Sequence, residues 1–149
     1  MMTPLTYFAY IHEAEPGAWL VRFYDVPEAI TQGESLEEAQ AAAPDALAAA
    51  LEGYIELGHP LPTRADIRPA DAAPGYRIIE VEVAVDPPIA ARAMLVEAMR
   101  AQGLNKVALA QRIGRDEKVV RRILAGKGAS FELTMQALKA VGVRPALAA

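Results

Sequence analysis

The chain contains no cysteine. Disulfides, thiolate zinc sites and cysteine nucleophiles are therefore excluded together. Histidine is nearly as scarce, with only His12 and His59 among 149 residues, too few for a histidine-rich metal site within one chain. No metal and no cofactor is expected. No apolar run approaches the roughly 18 residues of a membrane span. The opening MMTPLTYFAY lacks the basic start and small-residue cleavage site of a secretory signal. A cytoplasmic protein without membrane association is expected.

What is present suffices for a packed core, since 53% of the residues are apolar. The formal net charge of −4 conceals a division. Residues 1–86 carry fifteen acidic and four basic side chains, a formal −11, whereas residues 87–149 carry four acidic and eleven basic ones, a formal +7. Such asymmetry points to two modules with partners of opposite sign, or to two halves that attract each other. We expect one domain over 1–86 and a second over 87–149.

In the first part, LTYFAYIH (5–12) and AWLVRFY (18–24) are rich in aromatic and β-branched residues, and EAEPG between them holds a Pro and a Gly. This predicts a β-hairpin. ITQG (30–33) reads as a third short strand. Ser35-Leu36-Glu37-Glu38 matches a capping box, with the Ser35 oxygen taking the Glu38 amide and the Glu38 carboxylate returning to the Ser35 amide. The helix it opens keeps apolar spacing from Leu36 to about Leu57, and Pro44 within it is expected to kink or divide it. Residues 58–75 read as an extended connection, and YRIIEVEVAV (76–85) as a strand with one wet face. The sum is a small sheet covered on one face by a helix, an α+β arrangement.

Beyond Asp86-Pro87 the pattern is helical, with helices expected at 88–101, 105–113, 116–125 and 131–141. In KVALAQRIG (106–114), Ala110 is small enough to let a second helix approach, and Gly114 permits the turn. Leu109, Ile113, Val120 and Ile123 fill the wedge between the helices, which is a helix-turn-helix pattern. Val120 and Ile123 face inward, leaving Glu117, Lys118, Arg121 and Arg122 for a major groove, while Lys106, Arg115 and Lys127 sit near helix ends, where phosphate contacts occur. Asp116 reads as an N-cap. The same pattern also suits a helical protein-binding module with a solvated basic face. Phe131, Leu133, Leu138 and Val141 of the last helix are the candidate twofold interface. A dimer would set two recognition helices about 34 Å apart on one face of DNA.

Over nearly its whole length the chain resembles the HicB antitoxin family. The run FYDVPEAITQGESLEEAQ with the later HPLPT is similar to that family's N-terminal pattern, a strand ending in an F-P-D-L-P-like turn followed by T-x-G-x-S/T-x-E-E-A. LVEAMRAQGLNKVALAQRIGRDEKVVRRILAGK is similar to the helix-turn-helix tail of one branch. Tyr24 stands where the family often has Pro, and Pro44 interrupts a helix that the family keeps regular. The resemblance implies a partial RNase H-like N-terminal domain that covers a small RNA-cleaving toxin, HicA, and an all-α C-terminal domain that dimerises, or assembles further, and represses the operon.

The acidic half suits that role, because a protein that cuts RNA presents a basic surface to its substrate. Tyr24, Val26, Pro27 and Ile30 are the expected apolar anchors, with Asp25, Glu28 and Glu34 supplying charge; strand-end packing and plain solvated charges account for the same residues. Nuclease activity would need three or four convergent carboxylates. Asp25, Glu80 and Glu82 are the candidates, but Glu80 and Glu82 fit the wet face of a strand and Asp25 fits a turn, so no catalytic residue is expected. A different reading is a stand-alone helix-turn-helix regulator whose N-terminal domain senses a small molecule.

Overall fold

A computed structural model describes residues 3–64, 78–127 and 129–144. Its elements run β1 (Thr6–Glu15), β2 (Ala18–Phe23), β3 (Ile30–Gly33), α1 (Leu36–Glu56), β4 (Ile79–Ala84), α2 (Pro87–Gln102), α3 (Lys106–Ile113), α4 (Glu117–Ala125) and α5 (Phe131–Ala140). The chain is α+β, an antiparallel sheet with a helix followed by four helices. It gathers into two compact units, Met2–Glu52 with Pro62–Asp86, and Gly53–Leu61 with Pro87–Ala149. The end of α1 thus groups with the later helices, where the Arg100 guanidinium donates to the Gly58 carbonyl.

In the first unit the strands lie in the order β3-β2-β1-β4, every neighbour antiparallel. β1 runs three residues further than expected, to Glu15, so the hairpin connection shrinks to Pro16-Gly17. Proline fixes the first turn position and Gly17, at φ 79°, supplies the left-handed second. Alternation sends Tyr7, Ala9, Ile11, Val21, Phe23 and Val83 to one face, all buried. Ala39, Ala43, Leu47 and Leu51 of α1, spaced by four residues, are buried as well. β3 meets the start of α1 so closely that a Cβ on Gly33 would lie 2.5 Å from the Ala39 nitrogen. The Tyr7 hydroxyl donates to the Pro62 carbonyl at 2.6 Å, fixing the chain beyond α1 to the sheet.

Two expectations about α1 change. Ser35 Oγ does accept the Glu38 amide, at 3.1 Å, but the Glu38 carboxylate takes the Glu34 amide, at 3.3 Å, instead of that of Ser35. Pro44 does not divide the helix, which runs unbroken for 21 residues. Pro44 and Gln40 are both exposed, so the Gln40 carbonyl that loses its helical donor can take one from water. The expected 58–75 connection, the first two residues of the 76–85 strand and Gly128 lie partly or wholly outside the described residues.

The second unit is built on one core of Ala91, Leu95, Met99, Leu109, Ala110, Val120, Ile123, Ala137, Leu138 and Val141, drawn from α2 to α5 and the cap of α5. Local sequence sets each helix end. Asn105, Asp116 and Ser130 accept amides of the first turns of α3, α4 and α5 at 2.8, 2.9 and 3.1 Å. Gly114 and Gly126 close α3 and α4 with φ of 66° and 68°. Leu138 and Val141 are 0% and 5% exposed, which corrects their assignment to a twofold interface: they belong to the core of their own chain. Phe131 remains 40% exposed and Leu133 half-buried.

Candidate functional site

The basic surface begins with the three-residue turn Gly114–Asp116 between α3 and α4. Small Ala110 and the αL cap at Gly114 bring the helices together, and Leu109, Val120 and Ile123 close the wedge with no exposed surface. With Val120 and Ile123 pinned inward, helical geometry leaves Lys118 and Arg122 four residues apart on one outer face and Glu117 and Arg121 on the next. Lys118, Arg121 and Arg122 are exposed, as are Lys106, Arg115 and Lys127 at the helix ends. Glu117 is different: it is half-buried, and its Oε1 takes a hydrogen bond from Arg121 Nη2 at 3.0 Å. Arg121 is therefore a restrained cation, whereas Lys118 and Arg122 extend from the helix as long solvated arms.

One residue that sequence reasoning missed holds this surface from behind. Arg92 of α2 is only 5% exposed, donates from Nη2 to the Leu124 carbonyl at 3.1 Å, and lies against the Gly126 cap. Its charge faces the carbonyl end of α4, where a helix favours a cation. The available signal was that α2 carries apolar residues nearly all round, at Ile89, Ala90, Ala91, Ala93 and Leu95. An arginine among them has little outward face to occupy.

In the other unit, the turn after β2 folds with the Ala29 amide on the Val26 carbonyl at 3.0 Å. Val26 is 0% exposed, which corrects its place among the anchors: it supports the turn from inside. Pro27, Glu28 and Glu34 are exposed, Asp25 is half-buried, and Ile30 is 52% exposed. Tyr24 does not project alone. Its ring centroid is 4.7 Å from that of Tyr10, and its hydroxyl donates to Glu80 Oε1 at 2.8 Å.

Those contacts lead onto the sheet face opposite the core, which carries Phe8, Tyr10 and His12 of β1, Arg22 of β2, and Glu80 and Glu82 of β4. Phe8, Tyr10 and His12 were legible as the residues that alternate with buried Tyr7, Ala9 and Ile11. Glu82 lies 3.9 Å from Arg64, whose guanidinium sits 5.3 Å above the Phe8 ring and donates to Thr6 Oγ1 at 2.7 Å. Glu80 and Glu82 thus engage Tyr24 and Arg64, and among the described residues no three carboxylates or histidines are grouped to hold a metal ion. Nor, among those residues, is any helix long and apolar enough to cross a membrane.

Comparison with known proteins places these surfaces in context. Residues 6–85 match the profile of the HicB-like antitoxin of bacterial toxin-antitoxin systems. The chain is 34% identical over 110 residues to Antitoxin HicB of Escherichia coli strain K12, covering 74% of this chain and 73% of that protein. It is 30% identical over 131 residues to Antitoxin HicB 2 of Photorhabdus laumondii, covering 87% and 86%.

Proposed function

The chain belongs to the HicB-like antitoxin family, and from that premise we propose that it neutralises a small basic HicA-like toxin that cuts RNA and represses its own operon. Toxin binding is assigned to the acidic N-terminal half, through Tyr24, Asp25, Pro27, Glu28, Ile30 and Glu34. DNA binding is assigned to α3 and α4, used as a helix-turn-helix.

The observation that best supports the DNA reading is the division of α4, with Val120 and Ile123 sealed in the core and Lys118, Arg121 and Arg122 exposed on the other side. Lys118 and Arg122 are the proposed base readers. Arg121, restrained by Glu117, holds a fixed position suited to a phosphate or to a single base edge. Lys106, Arg115 and Lys127 are the proposed phosphate contacts. A homodimer through Phe131 and Leu133 would pair two such helices on an inverted repeat. The role is regulatory and non-enzymatic, acting in the cytoplasm with no cofactor.

Co-expression tests the reading. The gene beside this one should encode a short basic protein that arrests growth, and this chain should relieve the arrest and co-purify with it. Failure of both rescue and co-purification contradicts the antitoxin assignment. On DNA from upstream of the gene, Arg122→Ala should weaken binding by about 1–3 kcal/mol. Unchanged, salt-insensitive binding would refute that contact.

A further inference from the structure

α4 carries a single acidic residue, Glu117 in its first turn, against the cations Lys118, Arg121 and Arg122. On a surface that only had to attract phosphate this charge would be a liability, because it repels the backbone that the cations draw in. Its placement is specific. Glu117 stands one turn before Arg121, the order in which a glutamate and a cation four residues on pair best, and its Oε1 accepts from Arg121 Nη2 at 3.0 Å.

The two partners are not equivalent. The Glu117 side chain is 36% exposed against 61% for Arg121, and it borders the recess between α2, α3 and α4 with Lys106, Val107 and Leu124. The carboxylate is thus the fixed partner, and the guanidinium is what it orients. Their bond uses one hydrogen of Nη2, so Nη1 and the second Nη2 hydrogen remain as a two-donor fork, the geometry that meets O6 and N7 of guanine. A phosphate needs no fork, and a guanidinium held on a carboxylate pulls less on any phosphate it passes. In a helix-turn-helix the N-terminal residues of the second helix reach base edges, and Glu117 and Arg121 stand in the first half of α4.

We infer that Glu117 is a positioning residue that sets the specificity of the DNA surface: it aims Arg121 at one guanine of each half-site and withholds it from random phosphates. The inference rests on the DNA-binding reading and deepens it, giving Arg121 a base and Glu117 a role that needs no contact with DNA. The pair lies at the surface, so its effect on specificity is a factor of about 1.5 to 5. The guanine contact that it prepares is worth more, about tenfold.

The test is binding of the full chain to two duplexes of equal length, the segment upstream of its gene and a scrambled copy, with the ratio of the two affinities as the readout. Glu117→Gln removes a charge that repels all DNA, so both affinities rise, yet the ratio should fall about threefold. Arg121→Lys keeps the charge and loses the fork, and should lower the ratio about tenfold. In the double variant the ratio should equal that of Arg121→Lys alone, because Glu117 acts through Arg121. Both substitutions conserve size and leave the sealed side chains of Val120 and Ile123 untouched. An unchanged ratio in Glu117→Gln, or a loss in the double variant equal to the product of the single losses, overturns the inference and leaves the DNA reading intact. A wild type that binds neither duplex, or both alike, overturns that reading and this inference with it.

Discussion

Gly126→Ala isolates the device that fixes the carbonyl end of α4. Two penalties are built into the site. Gly126 has φ of 68°, where a side chain costs about 1–2 kcal/mol. A Cβ there would also lie 2.5 Å from Arg92 Nη1 and 2.6 Å from Cζ. Arg92 must move, and its bond to the Leu124 carbonyl is charge-assisted and 5% exposed, worth about 1.5–3 kcal/mol. The sum is about 2.5–5 kcal/mol. Gly114→Ala supplies the control, because Gly114 has nearly the same φ, 66°, and no atom within 4 Å of the added carbon. It should cost only the conformational part. Urea unfolding followed through the C-terminal helices measures both, and the difference between them is the Arg92 contribution. Equal losses for the two variants would refute the idea that Arg92 holds α4 through its cap.

Three further outcomes follow from the geometry. Pro44→Ala restores an amide to the Gln40 carbonyl and should raise stability by about 2 kcal/mol, the roughly 3 kcal/mol helix penalty less the loss of proline's restraint on the unfolded chain; no gain in thermal unfolding would contradict this. Gly33→Ala forces a carbon to 2.5 Å from the Ala39 nitrogen, a backbone atom, and should cost about 1–3 kcal/mol. A loss below about 0.5 kcal/mol by denaturant titration would mean that β3 and α1 part freely. Ile123→Ala should destabilise the C-terminal unit by about 2–5 kcal/mol, as expected for a fully buried side chain; a fully stable variant would place Ile123 outside the core.

Much of this architecture was legible because it is written in local rules. The caps at Ser35 and Asp116, the αL glycines and the alternation in TYFAYIH each act within a few residues, and the elements follow them closely. What escaped depends on placement. Leu138 and Val141 looked like surplus apolar surface until α2 and α3 arrived to cover them. Val26 sits in a turn, where apolar residues often stay exposed, yet the turn folds it inward. Arg92 carries a charge that local reasoning sends to solvent, and its burial makes sense only beside the end of a helix 32 residues away. Pro44 leaves the Gln40 carbonyl without a helical donor, which local reasoning counts as a break, but both residues are exposed and the helix runs on.

The same contrast separates the basic face of α4 from the outer face of the sheet. The basic face of α4 was readable from spacing, since Val120 and Ile123 fix which side is inward. The sheet face needed the strand register, because Tyr10 and Glu80 are seventy residues apart in sequence and meet only when β4 pairs with β1.

The most direct measurement is an RNA-cleavage assay with the purified product of the neighbouring gene, to which this chain is added in increasing amounts. The antitoxin account predicts that cleavage falls and stops once the chain reaches stoichiometric excess. Cleavage that continues undiminished in the presence of excess folded wild-type chain would contradict the account.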